Sequence, residues 1–152
     1  MNDAEGFMAT FFPESSWPEP LDINSANKLA PLLCSIMKSA VEKHEKLILI
    51  RTKINVITSN ILELEKEEQK ELLRTLELLS FEMKNLVNSL NDYVLEVENL
   101  GGEFTSIKNG IITFYSKRRN IPVCISITKN DNKFRYWRQL QENLACSRLI
   151  DF

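Results

Sequence analysis

Lys117, Arg118 and Arg119 stand together between two alternating apolar runs, residues 111–116 and 121–128, and Arg135, Arg138 and Arg148 follow further along. Tyr115, Tyr136 and Trp137 lie among them. Cations can contact phosphates and aromatic faces can stack bases, so a single-stranded nucleic acid or another anionic partner could use such a surface. The candidate contacts are Lys117, Arg118, Arg119, Arg135, Trp137, Arg138 and Arg148. The same residues have a plainer use. Lys and Arg at a hairpin turn keep a sheet edge from pairing with other chains. With a sequence pI of 5.6, the chain lacks the strongly basic balance of a dedicated nucleic-acid binder. The turn is therefore the preferred reading of Lys117-Arg118-Arg119.

Catalytic chemistry can be tested by subtraction. His44 is the one histidine, so a multi-His metal site is excluded and any Ser/His or Cys/His arrangement must recruit this ring. It falls beside an apolar helical stripe, where a packed or half-exposed histidine is the ordinary case. Cys34, Cys124 and Cys146 are odd in number, far apart and in no Cys-x-x-Cys spacing, so neither a zinc cluster nor a disulfide framework is indicated. No P-loop, G-x-G-x-x-G or H-E-x-x-H motif occurs. No catalytic residue, metal ligand or cofactor is assigned.

The elements that would carry these side chains follow from periodicity. A chain of 152 residues with 43% hydrophobic and 26% charged residues suits one domain. The first twenty residues hold three prolines among Phe7, Phe11, Phe12 and Trp17, which predicts an irregular arm docked through its aromatics. Leu29, Leu33, Ile36, Ala40, Lys43, Leu47, Ile50, Ile54, Ile57 and Ile61 then advance by threes and fours, the spacing of one helix face. Asp22 or Asn24 can cap its start, and Pro31 implies a kink. A second stripe runs from Leu72 through Leu76, Leu79, Met83, Leu86, Leu90, Tyr93 and Val97 to Leu100, ending at Gly101-Gly102. The connection is expected at 58–60, with Asn60 and Glu63 as a capping box, or in the Glu-rich stretch after it.

Beyond Gly102 the period falls to two. Residues 104–107, 111–116, 121–128 and 134–137 read as a meander of about four strands, with turns at 108–110, 118–120 and 130–132. Ile121, Val123, Ile125 and Ile127 form the face expected to pack on the helices, and the alternate positions are small and mostly polar. The charge divides at the same place. Residues 1–102 hold 10 Lys+Arg against 17 Asp+Glu, and residues 103–152 hold 9 against 4.

Two stretches resemble a known family. "LDINSANKLAPL" at 21–32, with its Ala-Asn pair and Leu-Ala-Pro, and "LGGEFTSIKNGIITFYSKRRNIPVCISIT" followed by "RYWRQLQENLACSR", are similar in order and spacing to the domain of unknown function 2203 family. The resemblance covers residues 21–148. This chain departs from the family pattern at Thr113, where an acid is usual, in the Ile125-Ser126-Ile127 run, at Arg138, where a His is usual, and at Asn143, where a Gly is usual. The resemblance implies a divergent member and carries no activity with it.

The resulting expectation is an α+β chain: an irregular arm over 1–20, then one domain over 21–152 made of a long antiparallel two-helix hairpin (22–100) and a small antiparallel meander with a tail (103–152). Helices of about 35 residues extend about 50 Å, whereas short strands cover about 20 Å, so part of the helical stripe lacks a cover. The preferred function is a non-enzymatic interaction or assembly protein that forms a homodimer through its hairpin. A nucleic-acid or anionic-partner binder is second, and an enzyme with a degenerate pocket between sheet and helices is third. With no membrane-length apolar run and an acidic N-terminus, the expected location is cytoplasmic.

Overall fold

Asp22 starts the first helix: its Oδ1 accepts from the Ser25 backbone N–H at 2.8 Å, satisfying one of the open donors of the first turn. The computed structural model describes residues 19–152, so the arm expected over 1–20 lies outside the described residues except for its last two. Helix α1 spans Ile23–Asn60 and runs on through Pro31. A 3-10 turn, Ile61–Glu63, leads to helix α2, Lys66–Asn99. The capping box expected at Asn60 is not formed. Its amide points back into the helix and donates to Val56 O at 3.0 Å. The tip is instead closed by Gln69, whose Nε2 donates to the carbonyls of Ile61 and Leu64 at 2.9 and 3.1 Å.

The two stripes meet along the hairpin. Lys43, the odd residue in the first one, donates to the Tyr93 hydroxyl at 2.9 Å and lies 4.9 Å from the centre of that ring. A lysine is thereby kept in an apolar seam by its stem, a hydrogen bond and a ring face.

Five antiparallel strands follow in chain order: β1 Gly102–Ser106, β2 Ile111–Arg118, β3 Ile121–Thr128, β4 Tyr136–Gln139 and β5 Arg148–Leu149. Four were expected. The fifth is two residues long, too short to carry any periodicity, and the fourth begins two residues later than expected. The β2–β3 turn is confined to Arg119 and Asn120, both with positive φ (53° and 65°), as a type I′ hairpin requires. Such a hairpin closes on a hydrogen-bonded pair, Arg118↔Ile121, so in the next pair, Lys117↔Pro122, the missing proline N–H faces β4. That strand pairs with β3 only from Val123↔Gln139 onward, so Pro122 breaks no ladder bond.

The core lies at the base of the hairpin. Ala26, Ala30, Leu33 and Met37 of α1 share it with Ile112, Phe114, Val123, Ile125 and Ile127 of the sheet, and Phe134 stands edge-on to Phe114. The alanines bring backbone close to the sheet, and Asn27 Oδ1 accepts from the Phe134 N–H at 2.8 Å. Val123, Ile125 and Ile127 occupy the face expected of them. Ile121 does not: it is 62% exposed, past the part of the sheet that the helices cover.

Two substitutions test this packing. Ile125→Asp buries an unpaired charge in a fully enclosed position and should unfold the domain. Gly102→Ala would set a Cβ 2.6 Å from Phe114 Cζ and 2.8 Å from Cδ1; with that ring held in the core, a loss of about 1–3 kcal/mol is expected in denaturant titrations. A Gly102→Ala chain as stable as the parent would show that the α2–β1 junction is looser than described.

Candidate functional site

Strand alternation sends one set of side chains to the helices and the other set to the opposite face. That second face carries Glu103 on β1, Thr113 and Tyr115 on β2, Cys124 and Ser126 on β3, and Tyr136 and Arg138 on β4. The register aligns them in two rows: Glu103, Thr113, Ser126 and Tyr136 in one, Tyr115, Cys124 and Arg138 in the other. Thr113, Tyr115, Cys124, Ser126 and Arg138 are all buried. The hydroxyls of Thr105, Thr113 and Ser126 form a chain, with Oγ1–Oγ1 at 2.6 Å and Oγ1–Oγ at 3.2 Å.

Burial dominates the electrostatics of this cluster. It pushes the Glu103 pKa up to about 7, against the pull of Arg138 and with a further push from Glu98. The Tyr115 hydroxyl is raised by burial and by Cys124 and Glu103 nearby. The Cys124 thiol is raised by burial as well, despite Arg138 beside it. A cysteine held protonated is a poor nucleophile. The Glu103 carboxyl titrates near neutrality, where a general acid or base works best.

The seven basic and aromatic residues singled out from the sequence do not form one surface. Arg118 makes a bidentate pair with Asp151, Nε–Oδ1 3.0 Å and Nη2–Oδ2 2.9 Å, and its guanidinium lies 4.5 Å from the centre of the Trp137 ring. Arg148 pairs with Glu142 at 2.6 and 2.7 Å and lies 4.9 Å from the same ring. Glu142 is thereby lowered to about 2. Trp137 is buried, and Phe152 meets it edge-on. These groups clasp the C-terminal tail to the sheet. Arg138 is buried and donates from Nη1 to the Glu142 carbonyl at 3.3 Å. Lys117, Arg119 and Arg135 remain exposed. Arg135 bonds through its backbone to Ser126 O, four residues along β3 from the Lys117 partner Pro122, or about 14 Å. That exceeds the screening length of about 8 Å in physiological salt.

The space expected to hold a pocket, between sheet and helices, is filled by the apolar core. A groove of about 650 Å³ lies outside it, between Ala30, Cys34 and Lys38 on α1 and the 129–132 turn. There the Cys34 thiol donates to Asp131 O at 2.9 Å and burial raises its pKa. His44 borders a different groove, with Glu45, Ile48, Leu49, Lys108 and Asn109. Among the described residues no group of His, Cys, Asp and Glu could hold a metal ion, and no helix is long and apolar enough to cross a membrane.

A long helical hairpin whose base is capped by an antiparallel sheet, with a buried polar cluster on the far face, defines an α+β protein of the hairpin-and-meander kind. Residues 21–148 match the family described as an uncharacterized conserved protein, DUF2203, and the chain belongs to that family. No curated protein and no solved structure matches it. Thr113, Ser126 and Arg138 lie together on the polar face.

Glu103 gives this site a pH signature. Its pKa is higher folded, about 7, than the ordinary 4.5, so the folded state holds the extra proton between those values. Stability from this group is full below that window, declines as pH rises through it and is level above it. Glu142, Asp22 and Asp151 are lowered and act in the opposite sense, at more acid pH. Glu103→Gln should flatten the decline in melting temperature between about pH 5 and 7, and an unaltered slope would contradict the burial of this carboxyl.

Proposed function

We propose that this chain is a non-enzymatic assembly protein that self-associates through its helical hairpin. One observation carries the reading: between residues 51 and 89 no residue is buried, while Val56, Leu62, Leu73, Leu78 and Phe81 are each more than half exposed. A seam of two helices alone half-covers its stripe and leaves the remaining apolar side chains in water. Removing that area from water stabilises contact by about 25 cal/mol per Å².

A second copy fits the pattern. Two apolar grooves of about 430 and 410 Å³ follow one another along α1, the first beside Ile48 and Leu49, the second beside Val56 and Ile57 with Leu79 of α2. A two-fold axis across Val56 sets that residue against its own copy and pairs positions equally far to either side. Leu49, 63% exposed, then meets the hairpin tip, where Leu62 is 88% exposed.

The nucleic-acid reading stands second, because Arg118 and Arg148 are each already paired with a carboxylate. The enzyme reading stands third, because its expected pocket is occupied by core side chains.

Sedimentation equilibrium at micromolar concentration is expected to give a dimer. Val56→Lys and Leu49→Lys, both at exposed positions, should shift it to monomer with little change in melting temperature, and a strictly monomeric parent chain would overturn the proposal.

A further inference from the structure

We propose that the polar face of the sheet is a binding site for a small hydroxycarboxylate, its carboxylate on Arg138 Nε and its hydroxyl on Glu103. Glu103 Oε2 and Arg138 Nε are buried and have no hydrogen-bond partner. Buried polar atoms are nearly always satisfied, so an orphaned acceptor and an orphaned donor on one face indicate something that bridges them. Arg138 is 2% exposed, and its Nε is a donor that nothing in the fold occupies. Ser116 Oγ is a third such atom, but it belongs to the alternate, helix-facing set of β2 and takes no part.

The two groups attract each other but form no ion pair. The register explains why. Glu103 is on β1 and Arg138 on β4, three strand spacings apart, or about 14 Å between backbones. Between them β2 and β3 present Thr113, Cys124 and Ser126, with short side chains, and Tyr115, which is long and buried. The short polar positions thus lie between a carboxyl on β1 and a guanidinium on β4. The end groups set the ligand's chemistry. A guanidinium N–H calls for an anionic oxygen, a carboxyl calls for a hydroxyl, and the hydroxyl chain of Thr105, Thr113 and Ser126 suits a polar rather than an apolar body between them.

The test is a titration of the full-length chain with glycolate, read at the Arg138 Nε–H resonance in nitrogen-15 spectra; that resonance is identified by its loss in Arg138→Lys. Acetate, which lacks the hydroxyl, is the control. Glycolate is expected to give a saturable shift, and acetate one about tenfold weaker, the value of one hydrogen bond to a charged group. Glu103→Leu removes the orphaned acceptor while keeping the position filled, so it should melt no lower than the parent and bind glycolate no better than acetate. No saturable shift in the parent chain would overturn the site, leaving the two atoms to ordered water. Equal binding of acetate and glycolate by the parent, or a preference for glycolate that survives in the Glu103→Leu chain, would overturn the assignment of the hydroxyl to Glu103.

Discussion

Strands of eight residues extend about 27 Å, whereas a helix of 38 residues extends about 57 Å. That difference in length governs the molecule. The sheet can cover only the base of the hairpin, and there the clusters around Leu33 and around Leu47 form. Close approach at this base depends on Ala26 and Ala30, both fully enclosed, and on Asn27, which reaches across to the Phe134 backbone. Beyond the base the helices have only each other. A pair of helices buries one stripe of each at best, so the distal half keeps intermediate seam residues and a second set of exposed apolar ones.

The sheet has two faces because strand geometry gives it two, but the second is not an ordinary solvated face. Its residues are polar and buried at once, and the neighbouring basic residues are drawn into local pairs. Arg118 and Arg148 each use a whole carboxylate and both approach Trp137. Exposed ion pairs contribute little singly, but here they share one aromatic ring and tie β2, β4 and the tail together. The positive balance of the C-terminal third is real, but two of its arginines, Arg118 and Arg148, are held in pairs with acids of the same segment.

The helices, the strand boundaries and the identity of the inward face can be read from periodicity, because each depends on residues three, four or two apart. What periodicity cannot supply is anything fixed by long-range register. Glu103 gives no signal alone, and its place in a row with Thr113 and Ser126 exists only once β1, β2 and β3 are paired. The small polar positions of β3 are visible as an alternate face, and a carboxylate just after the helix-ending glycines is the remaining clue. Arg118 looks like part of a surface cluster because sequence adjacency hides the alternation that separates it from Lys117. Gln69 and the two-residue strand Arg148–Leu149 act through single contacts that no pattern announces.

The two halves are nevertheless joined at one short junction. Helix α2 ends at Asn99, Gly101 turns with φ of 96°, Gly102 lies against the Phe114 ring, and Glu103 is the next residue. The carboxyl therefore lies close to the negative end of a long helix dipole and to Glu98 in its last turn, both of which disfavour its charge. Gly102 leaves no room for a side chain on this path, so a shift of the α2 terminus cannot be absorbed there and passes to Phe114 or to β1. Phe114 is held by the core. The softer element is β1, the edge strand with an irregular register near Thr105, and it carries Glu103. Along the chain, the carboxyl of the polar face is therefore the first side chain of the sheet after the end of α2, ahead of every interior strand.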